Sequence, residues 1–191
     1  MRDRIKEIFS DSIQIKEELL RSSVGTILEV TRLFIDCLKK GGKVIVFGNG
    51  GSASDSQHIA AELVGRFKKE RAPLPAIALT TNSSIITAIA NDYSYDFVFS
   101  RQVEALAQKN DLIVGISTSG KAKNVAAGIK QAKKMGLVTV ALTGGDGGDL
   151  AKLADVCLTV PSAITARIQE AHITIGHIIC EIVEEEFLTQ R

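Results

Sequence analysis

The sequence predicts an α/β protein: a three-layer α/β/α sandwich around a five-stranded parallel sheet, with long extra helices at both ends of the chain. Three observations predict it. Five short, β-branched apolar runs follow one another between residues 43 and 160. Helical stretches separate them, and strand–helix alternation of this kind builds parallel sheets buried on both faces. Two amphipathic helical patterns lie outside that series, one at each end.

Along the chain, the first forty residues read as helical. From Ile5 to Leu20 apolar residues recur at three- and four-residue steps: Ile5, Ile8, Phe9, Ile15 and Leu19. A second stripe is cleaner, through Val24, Ile27, Leu28, Thr31, Phe34, Ile35 and Leu38, which is one face of a 3.6-period helix. Gly41 and Gly42 stop it. The strands follow as "KVIVF" (43–47), "AIAL" (76–79), "DLIVGI" (111–116), "VTVAL" (138–142) and "VCLTV" (156–160). Residues 165–188 close the chain with the apolar spacing of a long helix: Ile168, Ala171, Ile175, Ile178, Ile179, Ile182 and Val183. No repeat or linker interrupts this order. We expect a single domain, with a helical segment 1–40, a βαβ core 41–164 and a C-terminal helix 165–188. The sandwich helices are expected to cover the sheet without the terminal helices. The stripes of those are then expected to be covered partly by another subunit.

Composition narrows the classes. A length of 191 residues suits one sizeable α/β domain. Lys plus Arg is 23 against 22 Asp plus Glu, so the net charge of +1 gives no reason to expect a nucleic-acid partner. No apolar run approaches the ~20 residues of a membrane span. The opening "MRDRIKEIFSDS" lacks the apolar stretch of a signal peptide. Cys37, Cys157 and Cys180 are odd in number and show no C-x-x-C. They read as reduced thiols of a cytoplasmic protein, two of them packed in helices.

Open parallel sheets bind ligands outside the C-terminal strand ends, at the topological switch point. Two loops suit that place. "GNGGS" (48–52) follows the first strand, and its glycines let backbone approach a ligand just before a helix N-terminus. "STSGK" (117–121) follows the third strand, with three hydroxyls, a glycine turn and a cation ahead of another helix. In a 2-1-3-4-5 strand order these loops flank the switch point, and together they read as a phosphate site. "GNGGSA" fits the dinucleotide pattern G-x-G-x-x-A. The second strand, however, runs into "ALTTNSS" with no acid for a ribose hydroxyl, and G-K-S/T is absent. A phosphomonoester on a small molecule is the better ligand. His58 and Glu62 share a helix face at i, i+4 just past the first loop. That pair suits base catalysis or a transition-metal ligand set, or else is a solvated Glu beside a capping or core His. His177, taken alone on its helix, reads as core packing.

Four stretches then match a known pattern: "GNGGSASDSQHIAAELVGRF", "ALTTNSSIITAIANDYSYDFVFSRQVEAL", "GISTSGKAKNV" and "PSAITARIQEAHITIGHIICEIVE". Together they resemble the bacterial phosphoheptose isomerases of the sugar isomerase (SIS) domain superfamily, in register from about residue 20 to 188. The resemblance implies a flavodoxin-like SIS fold and a homotetramer with active sites between subunits. It implies interconversion of sedoheptulose 7-phosphate and D-glycero-D-manno-heptose 7-phosphate, a step towards nucleotide-activated heptose for lipopolysaccharide core or other surface glycans. By position, Asn49, Gly50, Gly51, Glu62, Asn91, Asp92, Ser117, Thr118, Ser119 and Gln169 would contact substrate. Glu62 and His177 would be the acid/base pair. One Zn²⁺ per subunit would be held by His58, Glu62, Gln169 and His177, with no organic cofactor. One departure stands out: the family commonly has a serine where this chain has Ala122, which removes one phosphate-side hydroxyl. "ASDSQH" also replaces the usual "AADAQH", a harmless difference.

Two other functions compete. A sister family keeps the scaffold as a platform that binds the DnaA replication initiator, and it resembles this chain in "PAIALTT", "TAIAND" and "ARIQE". Its members lack the Glu and His matching Glu62 and His177. Other SIS isomerases act on hexose or pentose phosphates and usually diverge around "ARIQE". The spacing of Gln169 and His177 adds a geometric expectation. Eight residues on a straight helix put them ~12 Å apart along the axis and ~80° apart around it. One ion could hold both only at full stretch, or on a bent helix. The site is therefore expected to draw on more than one chain, with the C-terminal helix crossing a subunit boundary beside His58 and Glu62.

Overall fold

The computed structural model describes residues 1–188. Helices α1 (Arg2–Ser22) and α2 (Val24–Lys39) lead into β1 (Val44–Gly48) and α3 (Gly51–Val64). Then come β2 (Ala76–Ala78), α4 (Ser83–Asp92), a 3₁₀ turn (Tyr95–Phe97) and α5 (Ser100–Leu106). The chain continues through β3 (Leu112–Ser117), α6 (Lys123–Lys134), β4 (Val138–Gly144), α7 (Leu150–Leu153), β5 (Val156–Val160) and α8 (Thr165–Leu188). The sheet has five parallel strands in the order β2-β1-β3-β4-β5. Val44 is paired with Ala76 on one side and Leu112 on the other, so the chain reverses its walk after β2, and the switch point lies between β1 and β3. No described helix is long and apolar enough to cross a membrane.

That reversal decides which helices cover which face. Crossovers between parallel strands are right-handed, so a step in one direction puts its helix on one face and a step in the other direction puts it on the opposite face. Only β1→β2 steps one way, and α3 lies alone on its face as a crossover helix. The other three connections place α4 to α7 opposite. One core forms under α5 to α7 from Ile45, Phe47, Ile113 and Ala141 with Val103, Val125, Ile129 and Leu150. The other combines Val44, Val46, Val114 and Leu142 with Ile59 and Leu63 of α3, Phe34 of α2, and Ile175 and Ile179 of α8.

The expectation that the sandwich closes without the terminal helices is therefore corrected. A single crossover helix cannot cover five strands, and α2 and α8 complete the layer. Only α1 stays largely out, with Leu19 as its one buried residue and Ile5, Ile8, Phe9 and Ile13 exposed. Cys37 and Cys180 are buried in α2 and α8, and Cys157 lies on β5; all three are free.

Candidate active site

The loops after β1 and β3 meet across the switch point. Gly48 lies so close to Ile116 and Ser52 that a Cβ would sit 2.7 Å from each of them. Gly50, at φ +56° and ψ −121°, takes a backbone conformation that only glycine adopts readily, and it turns the chain into α3. A Cβ on Gly51 would stand 2.3 Å from Gln169 Nε2, so the Gln169 amide lies directly against the first loop. Asn49 Nδ2 donates to Asn124 Oδ1 at 2.9 Å, and Asn124 Nδ2 donates back to Asn49 Oδ1 at 2.9 Å. This amide pair ties the first loop to α6.

The second loop is braced from behind. Ser117 is the buried last residue of β3, and its carbonyl accepts from Gly120 N at 3.0 Å. The Ser119 hydroxyl accepts from Lys121 N. Gly120 packs so tightly on Gly147 that a Cβ would stand 2.0 Å from the Gly147 carbonyl oxygen. Thr118, Ser119 and Lys121 border a cleft of about 200 Å³ that also takes in Asp146 and Ser162. A cavity of about 530 Å³ lies at the opposite, N-terminal end of the strands, around Asp36, Lys40 and Asp111. It has neither loop, and we place no chemistry there.

Ala122 is the N-cap of α6 and makes no side-chain cap. A serine there could accept a helix N–H and still donate its own proton to a phosphate. Ala122→Ser is expected to add about 0.5–2 kcal/mol of stability through the cap. It should also lower KM for a sugar phosphate with kcat little changed, by at most the worth of one bond to a charged group, about 1.5–3 kcal/mol. A thermal melt and a KM measurement check the two halves separately. Raised stability with unchanged KM would mean that Lys121 or Lys123 already satisfies the phosphate.

His58 and Glu62 project from α3, and His177 meets them from α8. The two helices run side by side in the same direction: Gly51 faces Gln169, and Ile59 faces Gly176. Gly176 permits the approach, since a Cβ there would lie 3.0 Å from Ile59. His58 Nε2 is 3.0 Å from Glu62 Oε1 and 3.4 Å from His177 Nε2. The three ligand atoms lie within 4.8 Å of one another. Phe67 packs on the outer side of the His177 ring, with centroids 5.6 Å apart. Cys180 lies buried outside this group, and burial, and next the Glu62 charge, push its thiol up to about 12.

Two expectations change here. His177 is not a core histidine; that part belongs to His172, which is fully buried with Nε2 2.9 Å from the Thr143 carbonyl oxygen. Nor does α8 have to cross to another chain to reach His58 and Glu62. It meets them within its own chain, because it lies beside α3 in the same layer. Gln169 lies two turns before His177 and faces the first loop, so the ~12 Å separation stands while the other three ligands converge.

Asn91 and Asp92 end α4 and are exposed, with Asn91 Nδ2 donating to Asp92 Oδ1 at 2.8 Å. Three residues on, the Tyr95 hydroxyl donates to Asn49 Oδ1 at 3.2 Å and anchors that segment to the first loop. Sequence reasoning passed over Tyr95, Asn124 and Asp55. Asp55 stands one turn before His58 with a buried Oδ2 that has no partner among the described residues, and burial pushes its carboxyl up to about 6 against the pull of His58. Its only sequence signal was its spacing of three from His58.

Comparison with known proteins agrees with this architecture. Residues 8–144 match the SIS domain family. A phosphoheptose isomerase of Aquifex aeolicus is 52% identical over 97% of both chains. Among solved structures, the phosphoheptose isomerase of Neisseria gonorrhoeae superposes with a TM-score of 0.91 at 43% identity, over 96% of this chain and 98% of its own. That of Francisella tularensis gives 0.92 at 39% identity, over 96% and 97%.

Proposed function

We propose that this chain, which belongs to the phosphoheptose isomerase family of SIS-domain proteins and is a sugar-phosphate isomerase, interconverts sedoheptulose 7-phosphate and D-glycero-D-manno-heptose 7-phosphate. The observation that carries the reading is the convergence of His58, Glu62 and His177 beside the helix that the first loop opens, with that loop tied through Asn49 and Asn124 to the helix that the second loop leads into. Similarity to named isomerases over nearly the whole chain speaks against a DnaA-binding platform.

The loops would seat the phosphate, with Ser117, Thr118, Ser119 and the backbone about Gly50 and Gly51 as donors near two helix N-termini. Asn49, Asn91, Asp92 and Gln169 would bind the sugar hydroxyls. Glu62 and His177 would form the acid/base pair. In the ketose-to-aldose direction the base removes a proton from C1 while an acid protonates O2, which gives a cis-enediol. Loss of the O1 proton and protonation of C2 then complete the aldose. Two imidazole nitrogens and a carboxylate oxygen at this spacing fit a zinc ion. His58, Glu62 and His177 would hold it. A bound Zn²⁺ supplies Lewis-acid polarisation of the sugar oxygens.

We further propose a homotetramer with sites at subunit boundaries, in the cytoplasm. Exposed Ile5, Phe9 and Ile13 of α1 support it. So does an apolar groove of about 510 Å³ between α1, α2 and α8, lined by Leu20, Val24, Leu28, Ile178 and Ile182. So does α4, which buries none of its residues in the single chain. The product would feed nucleotide-activated heptose for surface glycans. Purified protein incubated with sedoheptulose 7-phosphate is expected to form the aldose 7-phosphate. Turnover of a pentose or hexose phosphate in its place would overturn the substrate assignment.

A further inference from the structure

Asn124 is 3% exposed and lies on no loop that would touch a ligand directly. Its hydrogen bonds nonetheless determine what Asn49 can do. Asn124 Oδ1 accepts from Val125 N at 2.9 Å, and a backbone N–H cannot reverse its role. The Asn124 amide therefore has one orientation, with its oxygen toward Val125 N and toward Asn49 Nδ2. Its nitrogen then faces Asn49 Oδ1. That oxygen also takes the Tyr95 hydroxyl proton. A carbonyl oxygen has two lone pairs, so both amide oxygens are filled. What remains to Asn49 is one Nδ2–H, for which no partner is found among the described residues.

We propose that Asn124 is a positioning residue of the isomerase. Anchored by the Val125 N–H, it holds Asn49 in the one orientation that offers substrate a hydrogen-bond donor, for an oxygen of the phosphate or of a sugar hydroxyl. The proposal rests on the reading that Asn49 contacts the sugar phosphate. Without Asn124, the Asn49 amide is free to turn over and to lose that orientation.

The test is a double-mutant cycle with sedoheptulose 7-phosphate, together with a crystal structure of the Asn124→Ala protein. Asn49→Ala and Asn124→Ala are each expected to raise KM about ten-fold, the scale of one lost hydrogen bond, with kcat little changed. The double variant should be no worse than Asn49→Ala alone. Asn124→Ser guards against a folding defect: its hydroxyl can still accept the Val125 N–H but cannot reach Asn49. It should melt near wild type and share the raised KM. The crystal structure should show Asn49 turned or in several orientations. An Asn124→Ser KM within two-fold of wild type, effects that multiply in the double variant, or an unmoved Asn49 would each overturn the proposal. Failure of the underlying reading looks different: Asn49→Ala itself leaves KM unchanged while Asn49 still turns in the Asn124→Ala crystal. That result removes Asn49 from substrate binding and the proposed role of Asn124 with it.

Discussion

Glu62→Gln is expected to lower kcat by about 10²–10⁴-fold while the protein folds and melts as wild type, because a positioned acid/base group supplies that much. The substitution keeps the shape of a side chain that is 23% exposed and removes its charge and its basicity. It leaves the contact with His58 a neutral partner in place of a carboxylate oxygen at 3.0 Å. The core beneath α3 is untouched, since Ile59 and Leu63 face the other way into the sheet. Activity within a few-fold of wild type would remove Glu62 from the chemistry. The same variant shows whose site it is. Because His58, Glu62 and His177 converge within one chain, mixing Glu62→Gln with His177→Ala subunits should restore no activity, despite confirmed exchange. Recovery in such hybrids would mean that α8 of one chain serves α3 of another.

The sheet was legible because strands buried on both faces carry their signal locally. "VCLTV" is a strand over residues 156–160 as expected, and α8 covers Thr165–Leu188, the span expected for it. The reading of the layers went wrong because coverage is not local. How many helices a face receives depends on the direction of each strand crossover, and the 2-1-3-4-5 order leaves α3 alone on its side. The candidate site divides the same way. His58 and Glu62 could be paired from a spacing of four on one helix. His177 lies 119 residues from His58 and joins it only through the packing of α8 on α3. Periodicity does separate His177 from His172: His172 falls within the stripe of Ile168, Ala171, Ile175 and Ile179, whereas His177, two residues from both Ile175 and Ile179, lies on the opposite face, so reading His177 as core packing passed over a signal that was present. Asn124 gave no signal, because an asparagine near a helix start usually means only a local cap.

The largest expected loss of stability lies away from the chemistry, at Glu184. This carboxylate is 2% exposed near the end of α8. Its oxygens accept from the backbone N–H groups of Phe67, Lys68 and Lys69, each at 2.8 Å, and Arg71 Nε lies 3.4 Å away. Arg71 is equally buried, and its remaining nitrogens donate to the carbonyls of Glu62 and Leu63 in the last turn of α3 and of Ala72 beyond it. Glu184→Ala would strand three backbone donors and a buried guanidinium. Removing one partner of a buried ion pair typically costs about 3–5 kcal/mol. For a chain of this length that is a fall in melting temperature of roughly 6–20 °C. The pH dependence has a definite sign. Burial opposes the Glu184 charge, but the N–H groups of Lys68, Phe67 and Lys69, and then Arg71, outweigh it and hold the carboxyl below its ordinary value. A carboxyl depressed in the folded state stabilises above its unfolded pKa, and that stability is lost as pH falls through the folded value. Wild type should therefore lose stability on acidification, and Glu184→Ala should lose less over the same window, starting lower. The loop that Glu184 holds also carries Phe67 against His177, and Arg71 fixes the last turn bearing Glu62. The variant should therefore lose activity well below its melting temperature. If it melts within 2–3 °C of wild type, Glu184 does not hold the loop, and the positions of Phe67 and Arg71 need another cause.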